Sequence, residues 1–137
     1  MHQLDATAGN ACQPALAYYD KSPIRIRPLA VQNVGTEDAF ITCAFQIDVT
    51  GNVQSLKVSI FNATDVPKNV QCTGISGVDF PGYLTKIAVM PPNGTQTLTW
   101  GTGDFPEPNA EIHTFGMSCL LKSGTGIGLT RLTISTP

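Results

Sequence analysis

The sequence predicts an all-β protein: a single-domain antiparallel β-sandwich of about eight strands, jelly-roll or immunoglobulin-like, stabilised by two disulfides. Three observations predict it. Thr, Val and Ile supply 35 of the 137 residues, side chains that suit a pleated, half-buried surface. Apolar and polar residues alternate with period two in several segments, and short turn-forming clusters separate those segments. Helix signals are nearly absent. The chain has three Glu and five Lys, and no stretch carries an apolar stripe at i, i+3, i+4, i+7.

Each element follows in order. Residues 1–16 are Ala-rich and weakly patterned, and are expected to form a flexible arm tied down at Cys12, with the sandwich over 17–137. Ile24 and Ile26 alternate with Arg25 and Arg27 until Pro28, which lacks the N–H a central ladder needs and makes this an edge strand. Over 39–49, Ile41, Cys43, Phe45, Ile47 and Val49 share one face and Thr42, Ala44, Gln46 and Asp48 the other, before Thr50-Gly51-Asn52 turns the chain. Leu56, Val58 and Ile60 form the next inward row. Residues 69–75 repeat the pattern with Val70 and Cys72. Residues 84–90 make a shorter apolar strand ended by Pro91-Pro92-Asn93-Gly94. Over 95–100, Leu98 and Trp100 oppose Thr95, Thr97 and Thr99. The stretch 101–109, with Phe105-Pro106-Glu107-Pro108, reads as the longest surface loop. Phe115, Met117, Cys119 and Leu121 then line one face of 111–121. The last strand, 127–134, changes phase near Arg131, which suggests a bulge.

Cys12, Cys43, Cys72 and Cys119 are widely spaced, with no CxxC pair, so the close ligand pairs of a zinc site are missing. An even cysteine count and a charged content of 13 % suit an oxidising compartment, extracellular or periplasmic, and two disulfides. Pairing stays open. Cys43 and Cys119 both face inward on strands and could bridge the sheets. The pairing Cys12–Cys43 with Cys72–Cys119 is preferred, because it joins the arm to the first core strand and closes two loops of moderate length. The first ten residues lack a basic or apolar signal region, so Met1 reads as a start residue on a mature chain whose signal peptide is gone. No run approaches the roughly 20 apolar residues of a membrane-spanning helix. A net charge of -2 offers no field for nucleic acid. The sequons Asn62-Ala63-Thr64 and Asn93-Gly94-Thr95 both look like turn chemistry, open to glycans only in a eukaryotic host.

The succession of an early cysteine, Val31-Gln32-Asn33, Phe40-Ile41-Thr42-Cys43, Val70-Gln71-Cys72-Thr73, Leu98-Thr99-Trp100 and Phe115-Gly116-Met117-Ser118-Cys119-Leu120-Leu121 resembles small secreted bacterial four-cysteine all-β proteins of uncharacterised function. The resemblance covers roughly 10–135 and implies an exported sandwich. It brings no catalytic or binding residues with it.

The chemistry missing from the chain narrows its function. Only His2 and His113 could serve as bases, and no nucleophile accompanies either in a recognisable arrangement. Gly124-Thr125-Gly126-Ile127-Gly128 lacks the lysine and following helix of a phosphate loop, and reads as a hairpin turn. Asp79, Asp104, Glu107 and Glu111 read as solvated loop acids; without a D-x-D-x-D spacing they make no calcium loop. Three threonines at 95, 97 and 99 are too short a ladder to match an ordered surface such as ice. The aromatic residues Tyr18, Tyr19, Tyr83, Trp100 and Phe105 remain. Of these, Tyr83, Trp100 and Phe105 are the expected ligand-binding residues, although Trp100 also reads as core beside Leu98. No cofactor and no metal are expected.

The expectation is therefore a secreted, non-enzymatic binding module for a cell-surface glycan or protein. The alternative is a structural subunit of an extracellular fibre or surface assembly, joined to further copies of itself through the arm or its edge strands. An enzyme, or an inhibitor of one, stands behind both.

Overall fold

The computed structural model describes residues 2–7, 12–14, 24–26, 28–45, 52–76, 82–101, 104–105 and 115–135. These residues form eleven strands: β1 (His2–Thr7), β2 (Cys12–Pro14), β3 (Ile24–Ile26), β4 (Val31–Asn33), β5 (Ala39–Phe45), β6 (Asn52–Asn62), β7 (Lys68–Ser76), β8 (Gly82–Met90), β9 (Thr95–Gly101), β10 (Phe115–Leu121) and β11 (Thr125–Ser135). Every pairing is antiparallel. One sheet runs β3-β4-β11-β6-β9, with β1 also on β11; the other runs β2-β5-β10-β7-β8. β11 is long enough to take two partners on one flank, β4 at Gly126–Ile127 and β1 over Leu129–Ile134, while β6 follows the other flank.

The eight expected strands are present. The three additional ones, β1, β2 and β4, are short or carry too few apolar residues for a period to show. Two segments of the expected arm are therefore strands: β1 extends the six-stranded sheet and β2 edges the five-stranded one. The expected phase change in the last strand is also present. Between Ile127 and Thr130 two residues, Gly128 and Leu129, stand opposite Ser59 alone, and a second shift lies between Thr133 and Ile134. Gly124-Thr125-Gly126-Ile127-Gly128 is not all turn, however. The turn ends at Gly124, whose φ of 80° suits a residue without Cβ, and β11 begins at Thr125.

The core lies between the sheets. Leu56, Val58, Ile60, Leu98, Trp100 and Ile127 from the six-stranded layer meet Ile41, Val70, Met90, Met117 and Leu121 from the five-stranded one. All these side chains are buried, as period-two alternation demands of strands with one wet face. Trp100 fits because Gly74 faces it. A Cβ on Gly74 would stand 2.6 Å from the indole Nε1 and 2.9 Å from Phe115 Cζ.

Both disulfides lie within the five-stranded sheet. Cys12 pairs in register with Cys43 and bonds to it, and Cys72 does the same with Cys119, at Cα separations of 4.0 and 4.1 Å. The preferred pairing is thus the one formed. A bridge between sheets from Cys43 to Cys119 is excluded, because β5 and β10 are neighbours in one sheet.

Four connections between the layers gather at one end: 34–38, 63–67, 91–94 and 122–124. Two of them are built alike. Asn33, at the end of β4, donates from Nδ2 to the carbonyls of Glu37 (2.7 Å) and Leu121 (2.9 Å) and accepts from Gly35 N–H. Asn62, at the end of β6, donates to the carbonyls of Val66 (2.8 Å) and Pro91 (3.1 Å) and accepts from Thr64 N–H. Each amide thereby closes its own turn and ties it to a neighbouring one. Backbone bonds from Asn62 N to Gly94 O, Ala63 N to Gly124 O and Gly124 N to Asn33 O join the cluster.

Asn62 is 2 % exposed with both Nδ2 hydrogens engaged, so its sequon is closed to a glycan in the folded chain; Asn93, on an exposed turn, is open. Replacing Asn62 with Ala removes three hydrogen bonds and leaves the Thr64 N–H without its acceptor, while the Val66 carbonyl keeps Thr64 Oγ1 and the Pro91 carbonyl keeps Gly94 N–H. The expected loss is about 2–4 kcal/mol of unfolding free energy, at about 0.5–1.5 kcal/mol net for each of the three hydrogen bonds lost. Chemical denaturation checks this; a loss within experimental error would show that the arch holds without its amide.

Candidate functional site

Three aromatic residues were singled out by sequence, and the structure separates them. Trp100 is wholly buried: its Nε1 donates to Leu84 O at 3.0 Å, and its ring lies 5.8 Å from that of Phe115. Phe105 is 2 % exposed and meets Phe115 edge-on at 6.2 Å. Neither ring presents a face to a ligand, so both are corrected from ligand-binding to core residues. The physical reason is the same for each: Phe115 at the start of β10 supplies an aromatic partner under the sandwich end. Tyr83 behaves differently. It is the second residue of β8 rather than part of a loop, points outward, and is 62 % exposed.

The other sequence candidates do not converge. Asp104 is occupied locally, accepting from Gly101 N–H at 2.8 Å and facing Lys86 Nζ at 3.4 Å. Lys86 also donates to Thr99 O and lies 5.9 Å from the Trp100 ring, which closes the flank between β8 and β9. Among the described residues no three His, Cys, Asp or Glu side chains gather as a metal site. Among the described residues no helix is long and apolar enough to cross a membrane. Thr95 and Thr97 are exposed on β9, whose outer edge pairs with no strand among the described residues. Tyr18, Tyr19, Asp79, Glu107, Glu111, His113 and the side chain of His2 lie outside the described residues.

What sequence reasoning missed is the surface around Tyr83. The outward residues of the five-stranded sheet fall into rows that run across the strands. One row is Gln13, Thr42, Ser118, Thr73 and Thr85, each directly opposite the next. Thr73 and Thr85 share a hydrogen bond of 2.8 Å between their hydroxyls. On one side of this row stand Phe40, Leu120, Gln71 and Ile87; on the other stand Ala44, Gly116, Ile75 and Tyr83. Phe40, Tyr83, Ile87 and Val89 are large apolar or aromatic side chains more than half exposed. Lone apolar residues on a surface are ordinary, but several on one sheet face mark an interaction surface. Between Leu120 and Ile87 the face dips into an open hollow of about 230 Å³, bordered by Asn69, Gln71 and Lys122.

The opposite sheet is different in kind. Its outer face sets Lys57 directly across from Arg131, and Ser59 and Thr97 complete a smaller hollow of about 140 Å³. Asp5 stands opposite Arg131 in the same row, so the molecule has one polar-neutral, partly apolar face and one that carries charges of both signs.

Solved structures match this architecture over nearly its whole length. The xylan-binding module CBM15 aligns over 98 % of this chain and 97 % of its own, with a TM-score of 0.60 and 12 % identity. The fold is an antiparallel β-sandwich, the architecture this module also has. A CBM61 module in complex with β-1,4-galactotriose aligns over 97 % of this chain and 88 % of its own, at TM-score 0.51 and 8 % identity. The C-terminal CBM6 of a laminarinase from Zobellia galactanivorans aligns over 96 % and 99 %, at 0.50 and 11 %. No protein-family model matches the chain, and no curated protein does. At these identities the likeness is one of fold.

Proposed function

We propose that the chain is a secreted, non-enzymatic glycan-binding module, and that its ligand lies on the outer face of the five-stranded sheet. The observation that carries this reading is the hydroxyl row flanked by exposed apolar and aromatic side chains. A sugar ring has two chemistries: C–H groups on its faces and hydroxyls at its rim. Tyr83, Ile87 and Phe40 suit the first, and Thr42, Ser118, Thr73 and Thr85, which both donate and accept, suit the second. The fold shared with the xylan-binding and galactotriose-bound modules supports the same reading. Two disulfides fit an oxidising location outside the cytoplasm.

Tyr83 is the residue to test, since it is exposed and its loss leaves the core intact. On a glycan array followed by calorimetry with the best ligand, Tyr83→Ala is expected to bind at least tenfold more weakly, a loss of about 1.4 kcal/mol. Equal binding by the variant would remove Tyr83, and with it this face, from the site. The buried Trp100 gives no such separation, because its replacement perturbs the fold itself.

A further inference from the structure

The same face also carries information about the charge and direction of its ligand. Among the described residues, no outward position of β2, β5, β7, β8 or β10 holds a charged side chain. Of the charges at its border, Lys122 and Asp38 are bonded to each other at 2.8 Å, and Lys68 opens β7 at an inward register position opposite Met90. The charged residues of the strands turn elsewhere: Lys86 toward β9 and Asp104, Lys57 and Arg131 to the opposite sheet. For a surface with this many exposed positions in a chain of eighteen charged residues (eight basic, ten acidic), such neutrality sets a constraint. A carboxylate or sulfate brought onto the hydroxyl row would surrender water and receive neutral donors there, while the border cation Lys122, beside the hollow, is already paired with Asp38.

Resting on the glycan-binding reading above, we propose that this face takes an uncharged glycan, laid across the strands along the row Thr42–Ser118–Thr73–Thr85. The direction follows from the rows. Along β5 and β8 the outward positions run apolar, hydroxyl, apolar (Phe40-Thr42-Ala44 and Tyr83-Thr85-Ile87), so a ligand parallel to these strands meets a change of chemistry at each step. Across β5, β10, β7 and β8 the hydroxyls continue without a break, between two banks that are apolar except at Gln71 and Gly116. From β5 to β8 the row crosses three inter-strand gaps of about 4.8 Å, about 14 Å in all. That is the reach of a short oligosaccharide rather than a single sugar. The hydroxyl row also separates this ligand from a second copy of the chain or another protein, whose interface core would leave those hydroxyls short of partners.

Calorimetry on the whole chain provides the test, with neutral xylo- and gluco-oligosaccharides of increasing length beside polygalacturonate, at low and high salt. The expected result is binding of a neutral series that strengthens from disaccharide to tetrasaccharide and changes less than twofold with salt. Ser118→Ala and Thr73→Val, which keep side-chain size, are expected to weaken it at least fivefold, and Lys57→Gln to leave it unchanged. Tighter, salt-sensitive binding of polygalacturonate that Tyr83→Ala still abolishes would overturn the neutral ligand while leaving the face as the site. Affinity that stops rising at the disaccharide would overturn the crosswise path. Loss of binding in Lys57→Gln would move the ligand to the other sheet. Absence of binding to any glycan would bring down both this inference and the reading on which it rests.

Discussion

Trp100→Ala is expected to lower the unfolding free energy by about 3–5 kcal/mol, the range for removing a large aromatic side chain from a packed interior. Several features put it at the upper end. The indole is wholly buried, fills the space that Gly74 leaves open, and packs against Phe115, which in turn holds Phe105. Strands cannot slide inward to fill the gap, since β7 is bonded on both sides and β9 is held to β6 over its length. The Leu84 carbonyl also loses its donor. Trp100→Phe separates the two contributions. It keeps much of the volume but not the N–H, and is expected to cost less than the alanine variant by about 1–3 kcal/mol. Because Trp100 is the only tryptophan, urea denaturation of the variants is followed by circular dichroism rather than fluorescence. A fall in midpoint with unchanged slope is the expected signature. A cost below about 1 kcal/mol for the alanine variant would mean that the core closes over the vacancy.

Removing the Cys72–Cys119 bridge by the double variant Cys72→Ala/Cys119→Ala is expected to cost about 4 kcal/mol. The chain-entropy argument gives that figure for a sequence separation of 47 residues. Here the cause lies in the unfolded chain, so the denaturation slope should rise as the midpoint falls, because the uncrosslinked chain exposes more surface. The trend distinguishes this variant from Trp100→Ala. The Cys12–Cys43 bridge closes a separation of 31 residues and holds only the edge strand β2, so its removal should cost somewhat less. A midpoint that barely moves in the first double variant would show that the β7–β10 ladder alone restrains the chain.

Strands with chemically distinct faces were readable from sequence. In β10, Phe115, Met117, Cys119 and Leu121 contrast with Gly116 and Ser118, and in β6 Leu56, Val58 and Ile60 contrast with Lys57 and Ser59; each inward set is buried. β8 defeated the same reasoning because both its faces are apolar. Leu84, Ala88 and Met90 turn inward, while Tyr83, Ile87 and Val89 turn out, so a strand read from sequence only as apolar contributes half of its apolar side chains to the candidate site. That doubled apolar pattern was the available signal. The hydroxyl row carries no local signal at all. Thr42, Thr73, Thr85 and Ser118 look like ordinary outward residues of four strands, and only the register aligns them. Phe105 sits among prolines that mark a surface loop, yet a tertiary contact with Phe115 buries it. Asn33 and Asn62 resembled common turn residues; their reach to Leu121 and Pro91 depends on loops distant in the chain.

Among the three ways of joining four cysteines, the one formed here is the only one whose rings neither interlace nor nest: residue 43 closes the first before residue 72 opens the second. A ribosome delivers the amino end first. The leading ring can therefore shut while the trailing thiols have yet to be made, and neither closure traps or threads the other. Oxidation in the order of synthesis leads straight to the native bonds, with no need for later reshuffling.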